Sequence, residues 1–392
     1  MDKMLIAGVN TRALAHSAYA LGYQVYSASY FCTTDFNSYH YKKCMLEQKP
    51  YYSCGTLQES YNQIELKELC SEWVDDVDYI IPYTGISPQM FPSSKVLGNK
   101  NVENVENKYK LYKFLKKKFR MPKTFLLSSI VEALEIQAQT SHKKYLIKPI
   151  NGSGGYGVYI LNSKWLKDLK NNETALKDLL IPEKFILQEY IQGEEVSASV
   201  ISTTKESKSL ISSSQIKGPN SQNNGQNFIY HGNLSPYPGD DSLIKKTAEL
   251  VIDELDLIGC NGVDMIQNSD GIHIIEVNPR FQGTFECTES SLGINLIQTH
   301  VNACNGELIT PPSSDKYCIK KIVYASEKSL IGTLKIPGVY DIPLKNVIIE
   351  KGEPVATVIG CSKNPIKAMS KVNNLIEKIN NMMKPVVKSN LI

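Results

Sequence analysis

The sequence predicts an α/β chain, α+β overall, on three observations. Residues 4–82 alternate apolar strands with capped helices, as a parallel sheet requires. Residues 185–277 hold a meander of β segments closed by an acidic hairpin, and residues 316–383 add further strands and a closing helix.

Residues 4–9 read as an apolar strand, after which Asn10 and Thr11 offer a cap to a helix over 12–21 that stops at Gly22. A strand at 24–31, a helix near 63–73 and a strand at 77–82 continue the alternation. The first strand-to-helix turn, GVNTRA, lacks the glycine spacing of a dinucleotide site, so this is a Rossmann-like layer without that fingerprint. Ligands in such sheets sit at the carboxyl ends of the strands, which makes Arg12 a candidate for holding an anionic substrate; decoration of a helix is the alternative.

Residues 101–119 read as one helix, apolar at Val105, Tyr109, Tyr112 and Leu115, carrying Lys108 and ending before Met121-Pro122. A strand over 124–130, a helix over 131–139 and a strand over 145–147 lead into Lys148-Pro149 and the loop NGSGGYG, which supplies Gly152, Ser153, Gly154, Gly155 and Gly157. A GxGxxG match alone is weak, but residues 158–161 are a β-type run, so these glycines cap a hairpin that can fold over phosphates with its backbone N–H groups. The Gly-Lys-Ser/Thr of a Walker loop and the His-Arg-Asp and Asp-Phe-Gly of protein kinases are absent. A flexible surface turn would not account for Lys148 immediately upstream.

A strand at 185–191 precedes Gln192-Gly193-Glu194-Glu195, and strands at 196–203 and 209–216 flank a turn at 205–208. Residues 217–232 are polar and rich in Asn, Gln and Gly, which suits a lid. An amphipathic helix over 240–257 delivers the chain to the hairpin: apolar runs at 262–267 and 272–277 around Asn268-Ser269-Asp270-Gly271. A three-residue loop closed by Gly271 sets Asp264 across from Glu276, with Asn278 one pleat further on the same face. Ile266 and Ile274 are then expected beside the acids, and Val263, Ile275 and Val277 on the opposite face. Cβ atoms of such a pair lie roughly 5 Å apart, and burying two unpartnered carboxylates is costly. A cation resolves the conflict. Two carboxylates and an amide carbonyl are hard oxygen ligands suited to Mg²⁺, which keeps positions open for phosphate oxygens and so points to a nucleotide. An exposed edge, or one protonated acid, is the alternative.

A helix over 294–304 and a Pro-Pro-Ser-Ser break at 311–314 precede the tail, with strands at 318–325, 347–350 and 355–359 and a helix over 365–382. The chain of 392 residues, 42% hydrophobic and 21% charged, is long enough for several packed units. A net charge of +3 without an Arg/Lys stripe argues against a nucleic-acid partner, and no apolar run of membrane-spanning length occurs. Nine scattered cysteines read as free thiols of a reducing, cytoplasmic compartment rather than a disulfide framework or a zinc site; Cys287, near the hairpin, reads as buried and inert.

Lys108, IKPINGSGGYGV (147–158), QEYIQGEEVS (188–197), GVD (262–264) and IIEVNPRFQG (274–283) resemble, in order and spacing, the motifs of the ATP-grasp ligase superfamily. The likeness covers the whole chain and is greatest to predicted ATP-dependent carboligases of archaea and methylotrophs. The resemblance implies a Rossmann-like pre-ATP-grasp domain over 1–103, an ATP-grasp domain over 104–310 in two halves meeting near 190, and a small β-rich C-terminal domain over 311–392 similar to that of biotin carboxylase. It also implies ATP and Mg²⁺, with Mn²⁺ as a substitute. By position, Lys148 and Lys108 would contact phosphates and the 152–157 loop would close over them. Glu189, Tyr190 and Ile191 would meet the adenine, Glu195 the ribose, and Asp264, Glu276 and Asn278 the metal. Arg280 would contact the transferring phosphoryl group or acyl phosphate; a salt bridge to Glu286 or Glu289 is the alternative. The implied reaction is carboxylate–amine ligation through an acyl phosphate, with small-molecule carboxylate and amine substrates. Bicarbonate carboxylation and a nucleotide-binding regulator without turnover are the competing readings. The relatives it resembles are commonly dimers, so a homodimer is one option and the sequence leaves the oligomeric state open.

Overall fold

Apolar runs buried on both faces make the first sheet. In the computed structural model, which describes residues 1–36, 41–152, 154–161, 181–216, 218 and 228–386, β1 (Lys3–Gly8), β2 (Gln24–Ser29), β3 (Tyr41–Cys44) and β4 (Tyr79–Pro82) pair in parallel in the order β3-β2-β1-β4. Met4, Leu5, Ile6 and Ala7 of β1 are fully buried, as central parallel strands are. The helix Arg12–Ala20 lays Leu14, Ala15 and Ala18 on Met4, Ile6 and Ile81, and the same cluster takes in Ile297 and Val301 from the helix Leu296–Cys304. β3 is not expected from the sequence: its Tyr41 and Lys42 are exposed and it carries no strand-like alternation of burial.

A second, antiparallel sheet contains β5 (Thr124–Leu127), β6 (Tyr145–Pro149), β7 (Tyr159–Leu161) and β8 (Phe185–Glu189) in the order β5-β8-β6-β7. The glycine loop joins β6 to β7. Ser153, and residues 217 and 219–227 of the expected lid, lie outside the described residues.

The third sheet is the spine of the molecule. It contains β9 (Glu194–Ser202), β10 (Ser207–Gln215), β11 (Gly232–Ser235), β12 (Gly259–Asn268), β13 (Gly271–Asn278), β14 (Tyr317–Tyr324), β16 (Val339–Tyr340) and β18 (Pro354–Ser362), in the order β13-β12-β9-β10-β11-β14-β18-β16. β14 pairs antiparallel with β11, so the strands of the tail extend the sheet that carries the acidic hairpin. The helix Pro365–Asn380 packs Ala368, Val372 and Ile379 on Val358 and Ile319. A small sheet of β15 (Ser329–Ile331), β17 (Ile348–Ile349) and β19 (Met383–Pro385) completes the tail.

Three local expectations need correction. The hairpin turn spans two residues, Ser269 and Asp270, because Asn268 pairs with Gly271, and a β-bulge at Ile275 restores the register further along. Asp264 still opposes Glu276, but the bulge exchanges two neighbours. Ile274 pairs with Met265 and is buried in the core cluster, while Ile275 turns to the acids' face and lines the cavity described below. The expected helix over 101–119 is broken at Asn107, whose side chain caps a new helix, Lys108–Leu115, by accepting from the Lys110 N–H at 3.0 Å. The cysteines are not all free: Cys318 and Cys361, opposite one another on β14 and β18, form a disulfide, leaving seven thiols. No helix among the described residues is long and apolar enough to cross a membrane.

Candidate active site

The three large sheets converge on a cavity of about 580 Å³. Its floor is the acidic face of β12 and β13, its sides are the carboxyl ends of β1 and β4 and the glycine loop, and β14 and β18 close it. The position at the strand ends is where an open parallel sheet leaves room for a ligand.

Asp264 and Glu276 face each other across the hairpin. Asp264 Oδ1 accepts from Gln215 Nε2 at 2.9 Å and Oδ2 from Asn278 Nδ2 at 2.8 Å. Burial pushes the Asp264 carboxyl up to about 7 and the charge of Glu276 adds to it, against the hydrogen bonds of Asn278 and Gln215 and the charge of Arg280. Such a pair is uncomfortable without a cation. Among the described residues no three or more His, Cys, Asp and Glu side chains cluster, so the donor set is two carboxylates and the Asn278 amide. That set fits Mg²⁺, which needs few protein ligands beside phosphate oxygens.

Two lysines oppose the acids. Lys148, closing β6, is buried and donates from Nζ to Gln188 Oε1 at 2.7 Å; Gln188 is held in turn by donating to Thr124 Oγ1 at 3.1 Å. Burial, then the nearby Lys108, push Lys148 down to about 8. Lys108 opens its helix because of the Asn107 cap, and its Nζ lies 2.6 Å from the Gly152 carbonyl and 3.5 Å from Glu276 Oε1. The glycine loop is anchored as Tyr230 N–H donates to the Gly154 carbonyl at 3.0 Å. Gly155 has φ +79°, and a Cβ there would come within 1.6 Å of the Phe228 carbonyl oxygen. Gly155→Ala is therefore expected to lower ATP turnover about tenfold or more while melting within a few degrees of the wild type, checked by steady-state ADP release and thermal unfolding.

Glu189, Tyr190, Ile191 and Glu195 all line the cavity. The Glu189 carboxylate pairs with Lys143, 2.8 Å away. Arg280 also lines the cavity, and among the described residues no carboxylate pairs with it; its Nη1 reaches only the Phe281 carbonyl, at 3.4 Å. The salt bridge to Glu286 or Glu289 does not form, because Glu286 is bound to Arg12 and Lys320 and Glu289 to Ser17 and the Leu296 N–H.

Arg12 is neither a decoration nor a free anion-binding group. It is buried between Asp341 and Glu286, 2.6 Å from each, with Asp35 at 3.5 Å and the Tyr340 ring 5.0 Å away. Burial alone would raise the Asp341 carboxyl, but the Arg12 charge and hydrogen bond outweigh it and hold Asp341 well below the usual range. A depressed carboxylate contributes stability that is present above its ordinary range and lost as the pH falls through it. Asp341→Asn is thus expected to cost about 3 kcal/mol at pH 7, with the gap from wild type narrowing below about pH 4, as urea unfolding at the two pH values would show.

Several supporting residues were not legible in advance. Gln188 and Gln282 sit inside motifs already singled out, but Gln215 and Lys320 carry no sequence signal of their own and reach the cavity through strand pairing. Cys287 is buried with its thiol pushed up to about 12 by that burial, which disqualifies it as a nucleophile.

A profile described as the ATP-grasp domain matches residues 105–284. The chain is 33% identical over 393 residues to the uncharacterized protein MJ0776 of Methanocaldococcus jannaschii, covering 96% of this chain and 91% of that protein. It is 30% identical over 217 residues to the tyramine–L-glutamate ligase of the same organism, covering 55% of this chain and 56% of the ligase. The structure is similar to that of N5-carboxyaminoimidazole ribonucleotide synthetase from Thermotoga maritima, with TM-score 0.66 over 98% of this chain and 99% of the other, at 15% identity; this likeness concerns the fold alone.

Proposed function

The chain belongs to the ATP-grasp superfamily of ATP-dependent ligases, and on that premise we propose that it is an ADP-forming carboxylate–amine ligase acting through an acyl phosphate. The single observation that carries the reading is the facing pair Asp264 and Glu276, lining one cavity with Gly154 and Gly155 of the glycine loop and an Arg280 that has no carboxylate partner among the described residues, with Lys108 Nζ 3.5 Å from Glu276. The partial similarity to tyramine–L-glutamate ligase supports an amine and a carboxylate as co-substrates.

In this reading Glu189, Tyr190 and Ile191 seat the adenine and Glu195 the ribose. Lys108 and Lys148 hold the phosphates, and the loop from Gly152 to Gly157, Ser153 included, excludes water above them. Asp264, Glu276 and Asn278 would hold Mg²⁺, which would supply positive charge to offset that of the phosphates. Arg280 stabilises the phosphoryl group as the substrate carboxylate attacks it, a task for a permanent, forked cation. The amine then displaces phosphate from the acyl phosphate, forming the amide. No nucleophilic side chain is needed, since positioning and charge stabilisation supply the rate.

The test is ADP release from Mg·ATP across a panel of carboxylates, each with and without amines, beside an arm with bicarbonate. Release that requires both a carboxylate and an amine supports the proposal. Release driven by bicarbonate alone assigns a carboxylase instead, and nucleotide binding with no release under any condition assigns a regulator.

A further inference from the structure

Once ATP and a metal are assigned to Arg280, the lysines and the hairpin acids, one cavity-lining charge remains unmatched. Glu353, which lines the cavity at the start of β18, accepts the Leu57 N–H at 3.0 Å, and no cation pairs with it among the described residues. Lys328 is taken by Glu350 at 2.7 Å. The surroundings of Glu353 are aromatic. Tyr30, Tyr61, Tyr156 and Tyr324 line the same cavity; burial raises the Tyr30, Tyr156 and Tyr324 phenols, and the Glu353 charge adds to it. Leu57, Ile349 and Val355 supply apolar surface between them.

The local charge balance has one sign. Arg12 and Lys320 are matched against Glu286, Asp341 and Asp35, two cations for three anions, and Glu353 adds a further negative charge. A partly buried carboxylate in a cavity lined by tyrosines is a receptor for an organic ammonium: the carboxylate supplies the counter-charge and the rings add cation–π attraction. With both cations already matched, the surplus of carboxylates disfavours an anionic ligand there.

We propose that the end of the cavity bounded by Glu353, Tyr30, Tyr156 and Tyr324 is the amine subsite, and that the amine it takes is an amphipathic organic cation, an aromatic or apolar body bearing a protonated nitrogen. Calling this ligand a co-substrate rests on the ligase reading; its recognition as a cation does not. Burial, with Glu59 and Glu350 nearby, raises the Glu353 carboxyl above its ordinary value, a strain that an incoming cation relieves.

The experiment is calorimetric titration of the full chain, with and without Mg·ADP, using phenethylamine, 3-phenylpropionate and phenethyl alcohol, which share a ring and differ in charge. Phenethylamine is expected to bind at least about tenfold more tightly than either of the others, about 1.4 kcal/mol. Glu353→Gln, which keeps the acceptor for the Leu57 N–H, is expected to erase that preference while Mg·ADP binds as before; Glu350→Gln should change neither. Tyr324→Leu should weaken phenethylamine and Tyr324→Phe should not, because the π face is what the cation meets. The proposal is overturned if 3-phenylpropionate binds as well as phenethylamine, if Glu353→Gln leaves phenethylamine affinity unchanged, or if phenethylamine binds no tighter than about 10 mM. Failure of Mg·ADP to bind would count against the ligase reading instead, and the nucleotide-free arm would still decide the cation.

Discussion

Glu276→Gln is expected to stop ADP release, by about a thousandfold or more, in a protein that remains folded. The two effects separate because Glu276 plays opposite parts in stability and in chemistry. Its carboxylate faces Asp264 across the hairpin and helps to push that acid up, so a neutral amide of the same shape removes repulsion from the metal-free fold. In the proposed reaction the same change would take away one of two anionic metal ligands, and it removes the partner of Lys108, 3.5 Å distant. Thermal unfolding should therefore give a melting temperature equal to or above that of the wild type without Mg²⁺, and the rise produced by adding Mg²⁺ and ADP should shrink. Activity within tenfold of wild type would remove the hairpin from the mechanism and the ligase assignment with it.

Arg280→Lys is expected to lower kcat about 10²–10³-fold with KM for Mg·ATP changed only a few-fold. The substitution keeps the charge, so any long-range attraction for nucleotide survives. It loses the planar fork, and with it the ability to bind two oxygens of one phosphoryl group. Arg280 makes no ion pair with a carboxylate among the described residues, so the loss should appear in turnover and not in stability. A parallel fall in melting temperature would instead mark Arg280 as a structural residue.

How much of this was legible in the sequence depended on whether the signal was local. The alternation over the first residues was readable because β1 and the helix after it carry their burial in their own apolar spacing. Asp264 and Glu276 face each other as their spacing predicts, but the turn is one residue shorter than expected, and the bulge at Ile275 makes up the difference. A bulge leaves no mark in a run of apolar residues, so the exchange of Ile274 and Ile275 between faces could not be read. The break at Asn107 was hidden in a helical pattern, although an asparagine before Lys108 is a capping residue once its backbone is seen to be extended. Arg12 shows the other limit. Its partners Glu286 and Asp341 lie 274 and 329 residues away in the chain, and no spacing encodes such a meeting.

The continuity of the eight-stranded sheet has a consequence for any attempt to shorten the protein. Ser235 and Leu234 of β11 hand their strand pairing to Cys318 and Ile319 of β14. Cutting the chain between them would bare a row of backbone donors and acceptors, inviting self-association. It would also strip Lys320, Asp341 and Glu353 from the cavity and leave Arg12 stranded beside fewer counter-charges. The chain from Tyr317 onward is thus a wall of the cavity, not an appendage to it.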